Sequence, residues 1–255
     1  MNFFMIFFML LLSVVSPSFA SNDAFFNAVN SGDVAKAKEI LNNGGKVNES
    51  TYDGLEMYPL NIAILAGKLE MVKFLLEEGA DINKTTKFDL LSPLRFAVDV
   101  KNTEILRLLL SQGADLSIRD REGGTALHRA AFKGNLDAIS LFLEKGANLK
   151  DQSTGVPGLK NGGTPLHVAV QNKQLNAVKL LIEKGADVSA LNGDGETPAM
   201  IAVYFNNIDA LKLLQQNKAD LNIANPSGKT ALKIAREVRA KQEIIDILLN
   251  AGARE

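Results

Sequence analysis

The sequence predicts an all-α repeat solenoid of about seven helix-turn-helix units, and two recurring marks carry this prediction. The first mark is a Gly-Ala pair, which recurs at Gly79-Ala80, Gly113-Ala114, Gly146-Ala147, Gly185-Ala186 and Gly252-Ala253, with Lys218-Ala219 in register. Successive marks are 34, 33, 39, 33 and 34 residues apart, and Gly45-Lys46 lies 34 residues before the first. Self-similarity at a fixed period of this length is typical of a stack in which each unit packs on its neighbours.

The second mark lies ahead of each Gly-Ala pair and begins with a hydroxyl residue that is often followed by proline. It reads Tyr58-Pro59-Leu60, Ser92-Pro93-Leu94, Thr125-Ala126-Leu127-His128, Thr164-Pro165-Leu166-His167, Thr197-Pro198 and Thr230-Ala231-Leu232. Ser and Thr accept a backbone N–H at a helix start, and proline is tolerated in the first turn. Between the marks the apolar residues follow helical spacing, and the closing glycine ends the second helix. Each unit therefore carries its own start and stop signals for two short helices.

Thr-Pro-Leu-His at 164–167 and Gly-Ala-Asp-Val at 185–188 closely resemble the ankyrin repeat signature. The resemblance extends over roughly Asp23 to Ala253. It implies antiparallel helix pairs stacked side by side, with β-hairpin fingers projecting from one edge, and it implies no cofactor. The predicted units are about 23–48, 54–83, 88–117, 121–150, 160–189, 193–222 and 226–255.

Four departures from the repeat predict local differences. Unit one has Phe25 and Phe26 in place of the hydroxyl mark, and unit seven has one extra residue between Arg236 and Lys241, as expected for units that cover the two ends. Unit three has no glycine in 87–91, which predicts a distorted or unusually apolar finger. A six-residue insertion within 150–161 predicts a longer finger before unit five.

The N-terminal segment predicts export from the cytoplasm. Residues 1–20 contain no charged side chain, are apolar from Phe3 to Val15, and end in Ser18-Phe19-Ala20, which fits cleavage between Ala20 and Ser21. The apolar run is shorter than the roughly 20 residues of a membrane-spanning helix. We therefore expect a signal peptide at 1–20, an ankyrin domain at 21–255, no stable membrane insertion after cleavage, and a periplasmic (if Gram-negative) or secreted protein. Because the segment lacks Lys and Arg, an uncleaved anchor stays the alternative.

Composition and motifs argue against several classes of function. Lys plus Arg total 28 against 29 for Asp plus Glu, so the net charge of −1 does not favour a nucleic-acid binder. The chain has no cysteine, and no zinc-ligand pattern, phosphate loop or nucleophile elbow occurs. Scattered carboxylates such as Asp137, Glu144, Glu183 and Asp209 fit solvated helix faces. We expect no catalytic residue, metal or small-molecule substrate, since a hydrolase would need titratable groups converging in a pocket.

The resemblance also assigns roles to particular residues. His128 and His167 hold the fourth position of the signature, where a histidine ties the finger to the helix by hydrogen bonds. Ankyrin partners meet the fingertips and the exposed positions of the first helix in each unit. In register, the helix positions are Asp99, Phe132, Lys133, Gln171, Asn172, Tyr204 and Phe205, and the tips are Phe88, Asp89, Arg121, Glu122, Lys160, Asn161, Asp194 and Glu196. The aromatic side chains either anchor a partner or pack against a neighbouring finger, and the sequence leaves both open.

These expectations give one leading function and one alternative. The leading function is an exported, monomeric protein-binding module that acts as a scaffold, inhibitor or stabiliser of one protein partner. The alternative is an effector secreted into a eukaryotic host, where it binds host proteins.

Overall fold

The computed structural model describes residues 23–51, 56–154 and 162–255, and these residues form fourteen helices in seven antiparallel pairs. The first helices of the pairs are α1 (Asp23–Ser31), α3 (Pro59–Leu65), α5 (Pro93–Val100), α7 (Ala126–Lys133), α9 (Pro165–Gln171), α11 (Pro198–Tyr204) and α13 (Ala231–Glu237). The second helices are α2 (Val34–Asn42), α4 (Leu69–Glu77), α6 (Thr103–Ser111), α8 (Leu136–Glu144), α10 (Leu175–Glu183), α12 (Ile208–Gln216) and α14 (Gln242–Asn250). The predicted all-α repeat solenoid is confirmed. The predicted signal peptide, its Ala20–Ser21 cleavage site, and Lys160 and Asn161 lie outside the described residues.

Hydroxyl and amide side chains start many of these helices. Thr197 Oγ1 accepts a hydrogen bond of 3.3 Å from the backbone N–H of Met200 at the start of α11. Asn207 Oδ1 accepts one of 3.1 Å from Ala210 at the start of α12, and Asn207 Nδ2 donates 2.7 Å to Val170 O in the preceding unit. One asparagine therefore caps its own helix and joins two units, so helix formation and stacking are coupled.

The apolar faces of the helices form one continuous core along the stack. Each first helix packs against the first helices of its neighbours, and these contacts are more extensive than those between successive second helices. The first helices therefore line the inner, concave side of the stack. Fully buried side chains such as Ile139 and Phe142 lie between the two layers, and burying a side chain of this kind contributes roughly 1.5–3 kcal/mol.

The fingers are tight turns closed by side chains, and they lack the paired strands of a regular β-hairpin. In fingers four (120–124), six (192–196) and seven (225–229), the first residue is Asp or Asn, and its backbone N–H donates 2.9–3.0 Å to the carbonyl four residues on. Its side-chain oxygen also accepts two backbone N–H groups, as Asn192 Oδ1 does from Asp194 at 3.0 Å and Glu196 at 2.8 Å. A five-residue turn of this kind is too short for a β-ladder. In the described ranges the bridge between Ser153 and Gly163 is the sole β-pairing.

Finger three (86–91) differs from these turns, in agreement with its unusual sequence. It is one residue longer than these turns and begins at Thr86, whose Oγ1 accepts a hydrogen bond of 3.0 Å from the Leu91 N–H. Leu90 has a φ of 54° at the place where finger four has Gly123. Phe88 and Leu90 are 54% and 43% exposed, so this finger is both distorted and apolar.

The atypical ends and the insertion have distinct structures. In α1 the Phe25 side chain is buried in the core, and the centre of the Phe26 ring lies 6.2 Å from that of Phe25. In unit seven the turn between the helices contains one residue more than in unit six, with Ala240 between the left-handed Arg239 and the start of α14. Two 3.1 Å hydrogen bonds between Ser153 and Gly163 close the base of the insertion, most of which lies outside the described residues. None of the helices in the described ranges combines the length and the apolar character that a membrane span requires.

Candidate protein-binding surface

The two histidines fasten the fingers to the concave helices. His167 Nδ1 accepts from the Thr164 N–H at 3.2 Å, and His167 Nε2 donates to Glu196 O, in finger six, at 3.1 Å. His128 is placed in the same way and donates from Nε2 to Asp151 O at 3.0 Å and to Gly163 O at 3.1 Å. Both rings are buried, and this burial lowers their pKa values to about 4. They are therefore uncharged at neutral pH and act as fixed connectors between units.

Backbone hydrogen bonds also join neighbouring fingers directly. Arg121 N in finger four donates 3.0 Å to Asp89 O in finger three, and Thr154 N donates 2.9 Å to Glu122 O in finger four. The exposed side chains of Asp89 and Arg121 therefore extend from adjoining backbones. A surface held in this way is formed before any partner binds, so little ordering entropy opposes binding.

A group of paired charges lies on the concave side of units three and four. The Arg95 guanidinium contacts one oxygen of the buried Asp120 carboxylate, and the other oxygen accepts 2.8 Å from the Gly124 N–H inside finger four. Arg129 Nε donates 2.6 Å to Asp99 Oδ1, and Lys133 Nζ lies 4.0 Å from the same oxygen. Burial, with the nearby charge of Arg129, lowers the pKa of Arg95 from its usual value. The charges of this group largely compensate one another within the protein.

The three predicted aromatic positions have different surroundings. Phe132 is half-buried against the core, and the Arg129 guanidinium lies 5.2 Å from its ring centre. Phe205 is also half-buried against the core. Tyr204 is 41% exposed. Packing against the core therefore covers much of the side-chain surface of Phe132 and Phe205, whereas the Tyr204 ring is exposed to solvent.

Tyr204 lies in a cleft of about 440 Å³ between fingers six and seven, which we call the finger cleft. Asp194 and Glu196 line the cleft on one side, and Pro226, Ser227 and Lys229 line it on the other. Burial together with the charge of the nearby Glu196 carboxylate raises the pKa of Tyr204 to about 12. Burial raises the pKa of Glu196 above its usual value, and the charge of Asp194 acts in the same direction. The phenol is therefore neutral at physiological pH.

The prediction that Gln171 is an exposed contact residue is wrong. Gln171 is 7% exposed because α9 lies between α7 and α11 and all seven of its residues are buried. Its neighbour Asn172 is half-buried, and its Nδ2 donates 2.9 Å to Val168 O within the same helix. At these two positions unit five therefore exposes less side-chain surface for a partner than the sequence register predicts.

Sequence reasoning missed the arginines of the concave surface and the lysine of the finger cleft. Arg129 directly follows the fourth signature position, where units five and six have Val168 and Ile201, and Arg95 holds the fourth position itself, in register with His128 and His167. For Arg129, a charged residue in register with the buried aliphatic residues Val168 and Ile201 was the available signal. Lys229 is in register with Gly124, and no sequence pattern distinguishes it from other surface lysines.

Comparison with known protein families decides the classification. A family profile described as "Ankyrin repeats (3 copies)" matches residues 9–86, 25–120 and 94–192, and one described as "Ankyrin repeats (many copies)" matches residues 181–235. The chain belongs to the ankyrin repeat family. Ankyrin repeats are in general protein interaction modules without catalytic activity, and a protein partner is therefore expected for this chain.

Several known proteins and solved structures are similar to this ankyrin repeat chain. It is 33% identical over 158 residues to the E3 ubiquitin-protein ligase XBAT32 of Arabidopsis thaliana. This match covers 58% of this chain and 31% of the ligase. The human ASB11 ankyrin repeat domain matches with a TM-score of 0.73 at 27% identity, covering 91% of this chain and 98% of that domain. The ankyrin repeat domain of Bcl-3, described as a unique member of the IkappaB protein family, matches with a TM-score of 0.76 at 27% identity, covering 89% and 97%. The chain thus spans less than a third of the ligase and nearly the whole of both ankyrin domains.

Proposed function

We propose that this ankyrin repeat protein is exported and binds one specific protein partner on its concave surface without catalysing a reaction. Its role would be that of a scaffold, an inhibitor or a stabiliser of that partner. The observation that carries the binding role is the row of solvent-accessible charged and aromatic side chains along the first helices and fingers. Asp99, Phe132, Lys133 and Tyr204 belong to this row. Exposed aromatic side chains surrounded by charged groups are typical of protein-binding surfaces.

The proposal of export rests on the N-terminal sequence. Residues 1–20 have the uncharged apolar run and the small residues Ser18 and Ala20 that a signal peptidase recognises. Cleavage before Ser21 would release the repeat domain into the periplasm, if the source is Gram-negative, or into the medium. The absence of cysteine means that an oxidising compartment would not alter the chain through disulfides.

The test is affinity capture of the partner with the C-terminally tagged protein, isolated from the envelope fraction of its native cells. The wild-type protein is compared with Phe132→Ala and Tyr204→Ala variants. We expect each variant to capture about tenfold less partner, because truncating a central aromatic contact costs roughly 1–2 kcal/mol. N-terminal sequencing of the captured protein should begin at Ser21.

The matched control is Leu175→Ala at the start of α10, on the convex side. Leu175 is 40% exposed against 41% for Tyr204, so the two variants truncate side chains of similar fractional exposure. Leu175→Ala should retain the partner as the wild type does, and thermal melting should confirm that all variants fold. Equal capture by the concave variants and Leu175→Ala would contradict the binding surface. Recovery from the cytoplasm with residues 1–20 intact would contradict export.

A further inference from the structure

Finger three carries two exposed apolar side chains at its tip. Phe88 and Leu90 are 54% and 43% exposed, and they lie two residues apart in one turn, which we call the apolar tip. The corresponding pairs are Arg121 and Gly123 in finger four, Gly193 and Gly195 in finger six, and Pro226 and Gly228 in finger seven. Exposed apolar side chains that are grouped at one site are typical of an interaction surface.

The backbone at Leu90 indicates that the folding of finger three does not account for this side chain. Leu90 has a φ of 54°, and the glycines at the same place in fingers four, six and seven have φ values of 71–72°. The left-handed conformation is unfavourable for a residue with a β-carbon, and the exposed Leu90 side chain gains little packing energy in return. A strained residue that stability does not explain motivates a functional role, here contact with a partner.

Hydrogen bonds hold the apolar tip in place before any partner binds. The Thr86 N–H donates 3.1 Å to Leu91 O, and the Leu90 N–H donates 3.2 Å to Thr86 O. Asp89 O accepts the 3.0 Å bond from finger four, so the tip continues the proposed binding surface. The Phe88 and Leu90 side chains therefore project from a fixed backbone, and their burial by a partner costs little ordering entropy.

The charges around the apolar tip favour a protein pocket over a lipid surface as its occupant. Lys87 Nζ forms an ion pair of 2.5 Å with the Glu56 carboxylate, and the exposed side chains of Asp89 and Arg121 carry opposite charges. These four charged groups balance one another. An anionic lipid surface attracts clusters of Lys and Arg, whereas two apolar side chains between balanced charges fit an apolar pocket with a polar rim.

We propose that the apolar tip of finger three inserts into an apolar pocket of the protein partner, where Phe88 and Leu90 become buried. This inference rests on the proposed protein-binding function and names the chemistry of one contact. Because the tip is a narrow projecting turn, the contact site on the partner is concave and lined by apolar side chains.

The first experiment offers the tip an artificial apolar pocket, the cavity of β-cyclodextrin, which accommodates a phenyl ring. The purified protein carries ¹³C-labelled phenylalanine rings, and Phe88→Leu assigns the Phe88 signal among the 13 phenylalanines of the chain. We expect β-cyclodextrin to shift the Phe88 NMR signal saturably at about millimolar concentration. Methyl glucoside has a similar sugar surface without a cavity, and it should leave the signal unchanged.

The second experiment compares stability with capture of the partner from the native envelope fraction. Leu90→Gly and Phe88→Ala should each capture about tenfold less of the partner that the wild type captures, because each removes apolar surface that the pocket buries. Leu90→Gly should nevertheless unfold at a higher temperature than the wild type, since glycine relieves the left-handed strain. β-Cyclodextrin should reduce capture by the wild type and should leave the residual capture by Phe88→Ala unchanged.

The matched control is Leu249→Ala in the last unit, where Leu249 is 46% exposed, and this variant should capture the partner as the wild type does. Equal capture by Leu90→Gly, Phe88→Ala and Leu249→Ala would overturn the proposal, as would a Phe88 signal that β-cyclodextrin does not shift. Sedimentation tests self-association, and flotation tests binding to vesicles of equimolar phosphatidylcholine and phosphatidylglycerol. If the wild type shows either property and Phe88→Ala loses it, the tip belongs to a second copy or to lipid, and the proposal is wrong.

Failure of this proposal is distinguishable from failure of the proposed function. If the finger three variants capture normally while Phe132→Ala and Tyr204→Ala do not, the concave binding surface stands and the apolar tip alone is excluded. If the wild type captures no partner, the proposed function fails, and this inference fails with it.

Discussion

His128 and His167 show how one signature residue serves folding at the scale of single atoms. Each ring accepts the N–H of the threonine that starts its helix and donates to carbonyls of a neighbouring finger. Carbonyl oxygens accept only, so Nε2 carries the proton and the neutral ring satisfies every partner. Protonation would add a charge to a buried site whose Nδ1 then faces an N–H donor.

We expect the free energy of unfolding to decrease as the pH falls from 6.5 to 5. The ordinary histidine pKa of 6.5 applies to the unfolded chain, and the folded values are about 4. The unfolded state therefore takes up protons first, which lowers stability below pH 6.5, and the loss levels off below pH 4. Each histidine should cost about 2 kcal/mol between pH 6.5 and 5, measured by urea unfolding at a series of pH values.

The control for this pH dependence is the replacement of both histidines by asparagine. Unit two already has Asn61 at the equivalent position, where its Oδ1 accepts 3.2 Å from the Tyr58 N–H. The His128→Asn/His167→Asn variant should be less stable at pH 7, but its stability should be nearly constant between pH 6.5 and 5. A decrease equal to that of the wild type would show that other groups control the pH dependence.

At the scale of the element, fingers three and four place different residues at the same left-handed backbone position. Finger four uses Gly123, with a φ of 71°, next to Thr154, and finger three uses Leu90, with a φ of 54°. The left-handed conformation costs a residue with a β-carbon about 1–2 kcal/mol. Leu90 therefore retains strain at an exposed site, where its side chain gains little from burial.

We expect Leu90→Gly to stabilise the protein by about 0.5–1 kcal/mol. Relief of the left-handed strain exceeds the extra chain entropy that glycine loses on folding, which is roughly 0.5–1 kcal/mol. Thermal or urea unfolding measures the difference. A loss of stability would show that the exposed Leu90 side chain contributes packing energy that outweighs the strain.

The opposite substitution in finger four is the matched comparison. A β-carbon at Gly123 would lie 2.6 Å from Thr154 Oγ1 and 2.8 Å from Thr154 N. Gly123→Ala should therefore destabilise the protein by about 1–3 kcal/mol, through strain and through displacement of the neighbouring finger. Equal effects of the two substitutions would mean that the fingers do not respond to backbone conformation as proposed.

At the scale of the whole molecule, each unit in the described ranges packs mainly on its immediate neighbours, so the continuous core is built from successive interfaces between units. Stability in such a stack is approximately the sum of unit terms and nearest-neighbour interface terms. Ile139 in α8 and Ile244 in α14 are both fully buried, but the first lies in a central unit and the second in the last unit. The same substitution at these two sites should therefore destabilise different numbers of units.

We expect Ile244→Ala to increase amide hydrogen exchange mainly in α13 and α14, and Ile139→Ala to increase it in units on both sides of unit four. Each truncation of a buried isoleucine costs about 2–5 kcal/mol. The end unit can open alone, whereas opening of a central unit breaks two interfaces. Exchange that rises uniformly along the chain in both variants would instead indicate one cooperative fold.

The sequence by itself determined what each unit repeats. The hydroxyl mark predicted the helix starts at residues such as Thr164 and Thr197, and the Gly-Ala mark predicted where the second helices end, because these are local requirements of caps and turns. The register also identified the signature histidines and the unusual finger of unit three. The local chemistry of caps and turns, repeated at a fixed period, was sufficient to predict the architecture.

Only the tertiary structure decided which side chains face solvent and which meet each other. Gln171, Phe132 and Tyr204 hold one register position, yet the first is buried, the second lies under an arginine and the third is exposed in a cleft. The ion pair of Arg95 and Asp120 and the cleft between fingers six and seven join residues about 25–35 positions apart. The repeat period brings such residues together, but their contacts depend on both side chains at an interface, and the pattern of one unit does not specify them.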